Sequence, residues 1–214
     1  MSDQVLKLRE LRYKKISQNP RVEIFLKELV RKSIHISSSF TVLLAHYFYK
    51  PTIILVIFGL LFYVLCEILR LNGKRVPLVS SITQIASRKA DEGKFVLGPF
   101  TLGLGLLFSL LLFPPPVSSL AIFAVTFGDG FAGLIGRLYG QLHFKPLQRK
   151  TFVGSFACFF SVFVANLLIL KNFFLAFILA FIATIVEALP LKNLDNIAIP
   201  LAVGFSAVLL GVAI

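Results

Sequence analysis

Residues 152–191 read FVGSFACFFSVFVANLLILKNFFLAFILAFIATIVEALPL, two long apolar runs separated only by Lys171 and Asn172. A helix needs about 20 apolar residues to cross a hydrocarbon core of ~30 Å, so each run is long enough to span a membrane. Apolar and polar positions do not alternate, so helices rather than a β-barrel would satisfy the backbone in lipid. This stretch therefore predicts a pair of membrane-spanning helices.

The same criterion finds five further apolar runs, so the predicted fold is an all-α, polytopic membrane helical bundle with about seven transmembrane helices. The spans lie at approximately residues 33–49, 52–71, 96–113, 117–136, 152–170, 173–191 and 197–214. Of the 214 residues, 57% are apolar and 15% are charged. A soluble domain is usually about 45–50% apolar and about 25% charged, so the composition excludes a soluble enzyme. It also excludes a disordered chain, which needs low hydrophobicity and high charge density.

The chain carries a formal net charge of +12, which suits either nucleic acid or an anionic membrane surface. The apolar runs favour the membrane, and we expect no nucleic-acid partner. Of the 22 lysines and arginines, 20 fall on one side of the predicted spans and two on the other. Because Lys and Arg concentrate in cytoplasmic loops, we expect a cytoplasmic N-terminus and an external C-terminus. The expected location is the cell (inner) membrane.

The chain divides into two predicted regions. Residues 1–32 mix basic and apolar residues and resemble an amphipathic interfacial segment lying on anionic lipid headgroups. Residues 33–214 form the transmembrane catalytic domain. No cleavable signal peptide is visible, since the first thirty residues lack an apolar core segment. Cys66 and Cys158 lie inside apolar runs without metal-ligand spacing, so we interpret them as buried hydrophobic residues.

Four acids occur in or beside the predicted spans, all at the cytoplasmic ends: Glu67, Asp129, Glu187 and Asp195. An ionisable residue within a span costs about 2.5–3.5 kcal/mol on insertion scales, so each needs a reason. One alternative is that these carboxylates simply reach water near the helix ends. Another, for Glu67, is an ion pair with Arg70 one turn away. Neither explains well why four spans place an acid at the same level.

Asp129 lies between Gly128 and Gly130 within an apolar helix. Small neighbours allow close approach of a ligand, and a carboxylate presented in this way suits Mg²⁺, which prefers oxygen ligands and keeps substrate phosphates in its shell. For the later glycines, Gly136 and Gly140, close helix packing is the alternative, because their spacing is that of small-xxx-small contacts.

The stretch from Gln148 to Ser155, with Arg149, Lys150 and Thr151 near the start of the fifth span, resembles a phosphate site. Lysine and arginine bind phosphate as a point charge and as a fork, and a helix N-terminus favours anions. The alternative is an ordinary basic cytoplasmic loop. His35, at the start of the first span, is either a general base or an interfacial polar residue.

In order along the chain, five stretches resemble the CTP-dependent polyprenol kinase family, which includes dolichol kinase, phytol kinase and the CTP-dependent diacylglycerol kinase. They are Glu28-Leu29-Val30-Arg31-Lys32 with His35; Cys66-Glu67-Ile68-Leu69-Arg70; Gly128-Asp129 through Ala132, Gly136 and Gly140; Lys150-Thr151 with Gly154-Ser155; and Glu187-Ala188-Leu189-Pro190 with Asp195-Asn196 and Pro200. The resemblance implies a membrane enzyme that transfers the γ-phosphate of CTP, with Mg²⁺, to a lipid alcohol. The alcohol would be a polyprenol, phytol or diacylglycerol.

On this resemblance, we expect Asp129 to bind the metal, with Asp195 or Glu187 as the second metal ligand or the base. Catalytic roles fall to Asp129, Glu187, Asp195, His35 and Glu67, and the last two are further candidate bases. The nucleotide and its phosphates would be bound by Arg137, Arg149, Lys150, Thr151, Gly154, Ser155, Asn196, Gly128 and Gly130. Relatives commonly carry glutamate before the Gly-Ser pair, where this chain has Val153. Any role of that carboxylate would pass to another acid such as Glu187.

Two other functions remain open at this point. A phosphatidate cytidylyltransferase, which makes CDP-diacylglycerol from CTP and phosphatidate, shares a stretch similar to that around Asp129 followed by Lys-Thr. Its later signature is missing here, where Leu194-Asp195-Asn196 precedes the seventh span. A small transporter with a charged vestibule is the second alternative, although transporter sites usually lie near the midplane on broken helices.

Overall fold

The computed structural model describes residues 20–74, 76, 93–140 and 150–212, with side chains from residue 25 onward. Every regular element in these ranges is helical, which confirms the all-α prediction. The helices are α1 (Pro20–Ser37), α2 (Phe40–Tyr47), α3 (Tyr49–Leu71), α4 (Leu97–Leu112), α5 (Pro115–Phe123), α6 (Gly130–Tyr139), α7 (Phe152–Leu170), α8 (Phe173–Ala188) and α9 (Asp195–Leu209). A π turn at Ala124–Asp129 joins α5 to α6, and a 3-10 turn at Lys192–Leu194 precedes α9.

Among the described residues, three helical segments are long and apolar enough to cross a membrane. They are α3, the continuous segment Pro115–Tyr139 formed by α5, the π turn and α6, and α7. The apolar helices α4 and α8 have 16 residues each, about 24 Å at 1.5 Å per residue and so shorter than a ~30 Å core. The membrane prediction is confirmed by the three long segments. The number seven and the sides of the two termini stay predictions.

The N-terminal part of the fold differs from the prediction. Residues 33–49 do not form one helix, because α1 ends at Ser37 and α2 begins at Phe40. The hydroxyl of Ser38 donates to the carbonyl of His35, 2.5 Å away, in the turn between them. The predicted boundary at residue 32 falls inside α1, and the division into an interfacial segment and a transmembrane domain stays a prediction. Residues 1–19 lie outside the described part, and their interfacial role stays a prediction.

The apolar core lies among α5, the π turn, α7, α8 and α9. It includes Val117, Leu120, Val125, Val162, Leu179, Ile199 and Val203, all fully buried. The π turn is central, since it packs against α1, α7, α8 and α9. In contrast, α3 exposes large apolar side chains such as Ile54, Phe58, Leu61 and Leu65. An exposed apolar surface of this kind on a long helix suits contact with lipid.

Hydrogen bonds and ion pairs show which helix ends meet. Arg70, at the end of α3, donates to the carbonyl of Lys94, just before α4. Asn196, in the first turn of α9, donates to the carbonyl of Gly98 in the first turn of α4. Lys150, just before α7, pairs with Glu187 at the end of α8. These ends therefore lie together at one end of the bundle.

Candidate active site

Charged side chains from separate helices gather at this end of the bundle. They come from α1, the π turn, the segment before α7, the end of α8 and the start of α9. They are Lys32, His35, Asp129, Lys150, Glu187 and Asp195, and they are named the charged cluster below; five are buried and Lys150 is mostly so. Buried charges are costly unless they are paired or serve a function, so the charged cluster is the candidate active site.

Asp129 is at the centre of the charged cluster. The ammonium of Lys32 donates to its Oδ2 over 2.5 Å, and Nδ1 of His35 lies 3.2 Å from the same oxygen. Lys32 and His35 are three residues apart on α1, so both face the π turn. The charge of Asp129 also interacts with that of Lys150. The acid and the basic segment predicted from the sequence are thus brought together.

The π turn itself is an unpredicted feature of this site. It widens the helix over Ala124–Asp129 and ends at the acid. Single π turns inside α-helices are rare and often occur at functional sites. Here the wider turn places Asp129 in the interior, against α1 and α9.

Lys150 makes the second ion pair of the cluster. Its Nζ donates to Oε1 of Glu187 over 2.5 Å, and the hydroxyl of Ser155 donates to Oε2 of Glu187 over 3.4 Å. Burial alone would lower the pKa of Lys150, but the negative charges of Glu187, Asp129 and Asp195 outweigh it and raise the pKa above its ordinary value of 10.5. Lys150 therefore stays a cation at neutral pH, and its contribution to folding is lost only as the pH rises above 10.5.

Asp195 and Asn196 open α9 beside these groups. Asp195 is buried in the first turn of α9, which packs against the π turn that ends at Asp129, so we count this acid in the charged cluster. The side-chain nitrogen of Asn196 donates to the carbonyl of Gly98 at 3.2 Å and to the hydroxyl of Thr101 at 2.9 Å. Its side-chain oxygen is buried and has no hydrogen-bond partner in the described part of the chain.

The glycines and Thr151 have packing roles that the sequence left open or missed. A side chain at Gly136 would meet Thr151 Oγ1 at 2.8 Å and Gly154 Cα at 3.2 Å, which confirms the packing alternative for this glycine. Thr151 caps α7, since its Oγ1 accepts from the amide of Gly154 at 3.1 Å. The side-chain directions of Gly128 and Gly130 are filled as well, by Val162 and Cys158 and by Ile36 respectively. These glycines therefore also serve close packing, and the approach of a ligand beside them stays a prediction.

Arg137 lies at the rim of the site. It is 47% exposed at the side chain, and its Nη2 lies 3.4 Å from Oε2 of Glu28. Glu28 is buried and also pairs with Arg31, at 2.5 Å. Arg137 is thus available to solvent while being tied to α1. Arg149 lies outside the described residues.

Glu67 belongs to a different group of contacts. Its carboxylate accepts two hydrogen bonds from Arg70, at 2.6 and 2.9 Å, and one from the amide of Val96 at 2.8 Å. These bonds connect the end of α3 to the start of α4. The ion-pair alternative for Glu67 is confirmed. The candidate role as a base is not supported, because three donors already bind the buried carboxylate.

Sequence reasoning missed three contributors: Glu28, Lys32 and Thr101. A signal existed for the first two, because Glu28, Lys32 and His35 have i, i+4, i+7 spacing and so share one face of a helix. The sequence shows that these three residues share a helix face, but it does not show that Lys32 pairs with Asp129. For Thr101 there was no signal, since a lone threonine in an apolar helix gives no indication of a partner 95 residues away.

The predicted magnesium site can be tested against these residues. The described part of the chain holds no group of three or more His, Cys, Asp or Glu side chains arranged to bind a metal. Mg²⁺ commonly uses only one or two carboxylates and takes its other ligands from water and substrate phosphates. Asp129 and Asp195, together with the unpartnered oxygen of Asn196, supply hard oxygen atoms of that kind. The residues therefore fit a metal that arrives with phosphates.

Comparisons with known proteins support the same chemistry. A probable phytol kinase of Triticum aestivum is 32% identical over 62% of this chain and 49% of its own length. Phytol kinase 1 of Arabidopsis thaliana is 28% identical over 87% of this chain and 67% of its own length. The CTP-dependent diacylglycerol kinase 1 of Saccharomyces cerevisiae is 29% identical over 62% of this chain and 47% of its own length. The resemblance to the CTP-dependent lipid kinase family is confirmed.

These three relatives are named as kinases. The chain spans about half the length of most of the curated relatives it matches. The plant relatives are named as chloroplast proteins, which gives the predicted cell inner membrane no support. No family model matches the chain. No solved structure matches it either.

Proposed function

We propose that this chain is a membrane lipid kinase that transfers the γ-phosphate of CTP to a lipid alcohol. One observation carries the proposal: five elements bring Lys32, Asp129, Lys150, Glu187 and Asp195 into one buried cluster at one end of the bundle. Phosphoryl transfer needs mainly positioning and neutralisation of charge, which such a cluster can provide. The names of the relatives supply the nucleotide and the class of acceptor.

The cations would bind the phosphates of the nucleotide, and the acids would bind its metal ion. Lys32 and Lys150 would bind triphosphate oxygens from two sides, with Arg137 at the rim and Arg149 in the adjoining segment. Asp129 and Asp195 would hold Mg²⁺, with Asn196 beside them. When bound there, Mg²⁺ would supply positive charge that neutralises the phosphate oxygens.

The lipid hydroxyl needs a group that takes its proton. His35 is our candidate, because its Nδ1 lies 3.2 Å from Oδ2 of Asp129, close to the proposed metal site. In the transfer, the alcohol oxygen bonds to the γ-phosphorus, the bond from that phosphorus to the β–γ bridging oxygen breaks, and CDP leaves. The hydroxyl proton passes to the imidazole. Glu187, paired with Lys150 and Ser155, would keep that lysine in place.

The acceptor would reach the site from the surrounding lipid. Phytol, a polyprenol and diacylglycerol each present a hydroxyl above hydrocarbon, and the exposed apolar surface of the bundle suits all three. We place the site at the cytoplasmic interface, because lysines and arginines are concentrated in the connections on that side. Basic residues near the site, such as Lys27 and Arg31 on α1, would bind anionic headgroups.

The position of the label in CTP tests this function. The purified chain is incubated with γ-³²P- or α-³²P-labelled CTP, Mg²⁺ and, in turn, phytol, a polyprenol, diacylglycerol and phosphatidate. We expect label to enter an alcohol from the γ position only. Label entering phosphatidate from the α position, with release of pyrophosphate, would mean a cytidylyltransferase instead. Label in no lipid would contradict both.

Gly133 gives the Lys32 side chain room to reach Asp129. A Cβ at Gly133 would collide with Cε of Lys32 and lie 3.0 Å from its Nζ. We expect Gly133→Ala to lower lipid phosphorylation about tenfold or more, because a charge-assisted hydrogen bond is lost or stretched. The fold should survive, since the flexible end of the lysine can move away. Initial rates and a thermal unfolding curve check both statements.

The matched control for this prediction is Gly59→Ala on α3. No heavy atom lies within 4 Å of a side chain built there, so the added methyl group enters open space. We expect its rate to stay within about twofold of the wild-type rate, because an exposed helical Gly→Ala change acts mainly on stability, by about 1 kcal/mol. Equal activity of Gly133→Ala and Gly59→Ala would remove Lys32 from the proposed site.

A further inference from the structure

Helix α4 holds the side chain of Asn196 in one orientation. Both contacts of its nitrogen are to acceptors, the carbonyl of Gly98 at 3.2 Å and the hydroxyl of Thr101 at 2.9 Å. The carbonyl of Gly98 can only accept, so the nitrogen of the amide and not its oxygen must face it. The hydroxyl of Thr101 accepts because its own proton is directed to a backbone carbonyl of the preceding turn, that of Leu97 or Gly98.

The contact between α4 and α9 is close enough to make this arrangement firm. A side chain at Gly105, one turn beyond Thr101, would collide with the backbone carbonyl of Asn196 and meet Cγ of Pro200 at 3.4 Å. Thr101 and Asn196 are both buried. Close packing therefore holds the backbone of Asn196 against α4, and two hydrogen bonds hold its side-chain amide.

The oxygen of the amide is left without a partner. Asn196 is only 3% exposed, and its Oδ1 has no hydrogen bond within the described ranges. A buried acceptor without a donor is unfavourable, and such an atom in a folded protein requires an explanation. Its neighbour Asp195 belongs to the charged cluster. The backbone amide of Asn196 donates to Oδ1 of Asp195 at 3.0 Å, so the unpartnered oxygen belongs to a residue bonded directly to one of the acids proposed to hold the metal.

We propose that Thr101 is a positioning residue that orients Asn196 so that the amide oxygen meets an electropositive group of the bound nucleotide–magnesium complex. That group is either the cation itself or a water molecule that the cation binds; both present positive charge to an acceptor. This inference rests on the proposed function for the identity of the ligand. It adds α4 to the site, although no residue of that helix was predicted to take part.

Removing the hydroxyl of Thr101 tests the inference. Thr101→Val keeps the shape of the side chain and deletes one acceptor of the Asn196 nitrogen, whereas Thr101→Ser keeps the oxygen. Binding is measured without turnover, as the thermal stabilisation by Mg²⁺ and a non-hydrolysable CTP analogue, and kinetics give KM for CTP and for the lipid. We expect Thr101→Val to weaken nucleotide binding about three- to tenfold with the lipid KM unchanged. Thr101→Ser should restore it.

Thr52→Val is the matched control. Thr52 is a buried threonine in the first turn of α3, and its hydroxyl donates to the carbonyl of Phe48 at 2.7 Å. The change deletes the same atom at the opposite end of the bundle, so nucleotide binding should not change. If Thr101→Val does not fold, Thr101→Ala removes the same acceptor and takes its place.

A double-mutant cycle separates positioning from general stability. If Thr101 acts only through Asn196, Asn196→Ala should weaken nucleotide binding, and Thr101→Val should add nothing to it. Additive losses, an effect confined to thermal stability, or failure of Thr101→Ser to restore binding would each overturn the inference. A wild-type chain that binds no nucleotide would overturn it too. If nucleotide binding depends on Thr101 but labelled CTP phosphorylates no alcohol, the proposed function fails and the positioning role remains.

Discussion

Asp129→Asn is expected to abolish lipid phosphorylation, with a loss of about a thousandfold, the size seen when a pre-organised electrostatic group is removed. The substitution keeps the shape of the side chain and deletes the charge that Lys32 and His35 contact. In the proposed mechanism, the neutral amide of the variant would bind a cation more weakly and would no longer attract the His35 ring. The measurement is the initial rate with γ-labelled CTP, expressed per folded molecule.

Stability must be separated from chemistry in this experiment. Asp129→Asn leaves the buried ammonium of Lys32 without a counter-ion, which costs about 3–5 kcal/mol of folding free energy. Lys32→Met together with Asp129→Asn removes both charges, so stability should recover while activity does not. Recovery of activity in the double variant would mean that the pair has only a structural role.

Glu67→Gln is the matched control for a buried acid. Glu67 is as buried as Asp129, but its carboxylate binds Arg70 and the amide of Val96 instead of the charged cluster. We expect Glu67→Gln to lower the melting temperature and to leave the rate per folded molecule within about twofold, since it changes the α3–α4 connection alone. A loss comparable to that of Asp129→Asn would return Glu67 to the site.

Lys150→Met is expected to have the second-largest effect, a loss of about a hundredfold that appears mainly in the use of CTP. Its ammonium pairs with Glu187, and its charge also reaches Asp129 and Asp195. Without it, these acids would repel one another and an incoming triphosphate. Steady-state kinetics with varied CTP and with varied lipid would show where the loss lies.

Two comparisons make the Lys150 result specific. Lys50→Met removes an exposed lysine before the apolar body of α3, at the opposite end of the bundle, and should not change the rate. Lys150→Arg keeps the charge but not the compact geometry, and should recover only part of the activity. If Lys150→Met and Lys50→Met have equal kinetics, the basic segment before α7 is an ordinary loop.

The long helices could be predicted because the length of each apolar run determines where a membrane-spanning helix can form. The runs at residues 52–71 and 152–170 correspond within a few residues to α3 and α7, and the run at 117–136 to the segment Pro115–Tyr139. In lipid the backbone must be satisfied within each segment, so a long apolar run has few alternatives to a helix. The same argument placed the acids near helix ends.

The convergence of Asp129, Lys150 and Asp195 could also be anticipated. Charges are costly in hydrocarbon, so acids and cations at the same membrane level tend to meet. Their partners could not be anticipated. Lys32 reaches Asp129 only because Gly133 leaves room for it, and Thr101 reaches Asn196 only because Gly105 lets two helices come close. Such contacts depend on the packing of distant segments, which no local pattern records.

Two local features depend on packing that the sequence pattern does not show. Gly128 and Gly130 flank Asp129, and side chains of α7 and α1 fill the space beside them. Residues 33–49 are apolar enough to suggest one span, but α1 begins earlier and presents its polar face to the interior. In both cases tertiary packing determined the outcome. The π turn before Asp129 had no counterpart in the sequence pattern.

The most direct test of the central claim is an experimental structure of the chain with Mg²⁺ and a non-hydrolysable CTP analogue. We predict that the triphosphate lies between the π turn and the starts of α7 and α9, with Lys32 and Lys150 on its oxygens. Asp129 and Asp195 should face the metal. A nucleotide bound elsewhere, with its phosphates in contact with neither Lys32 nor Lys150, would contradict the account.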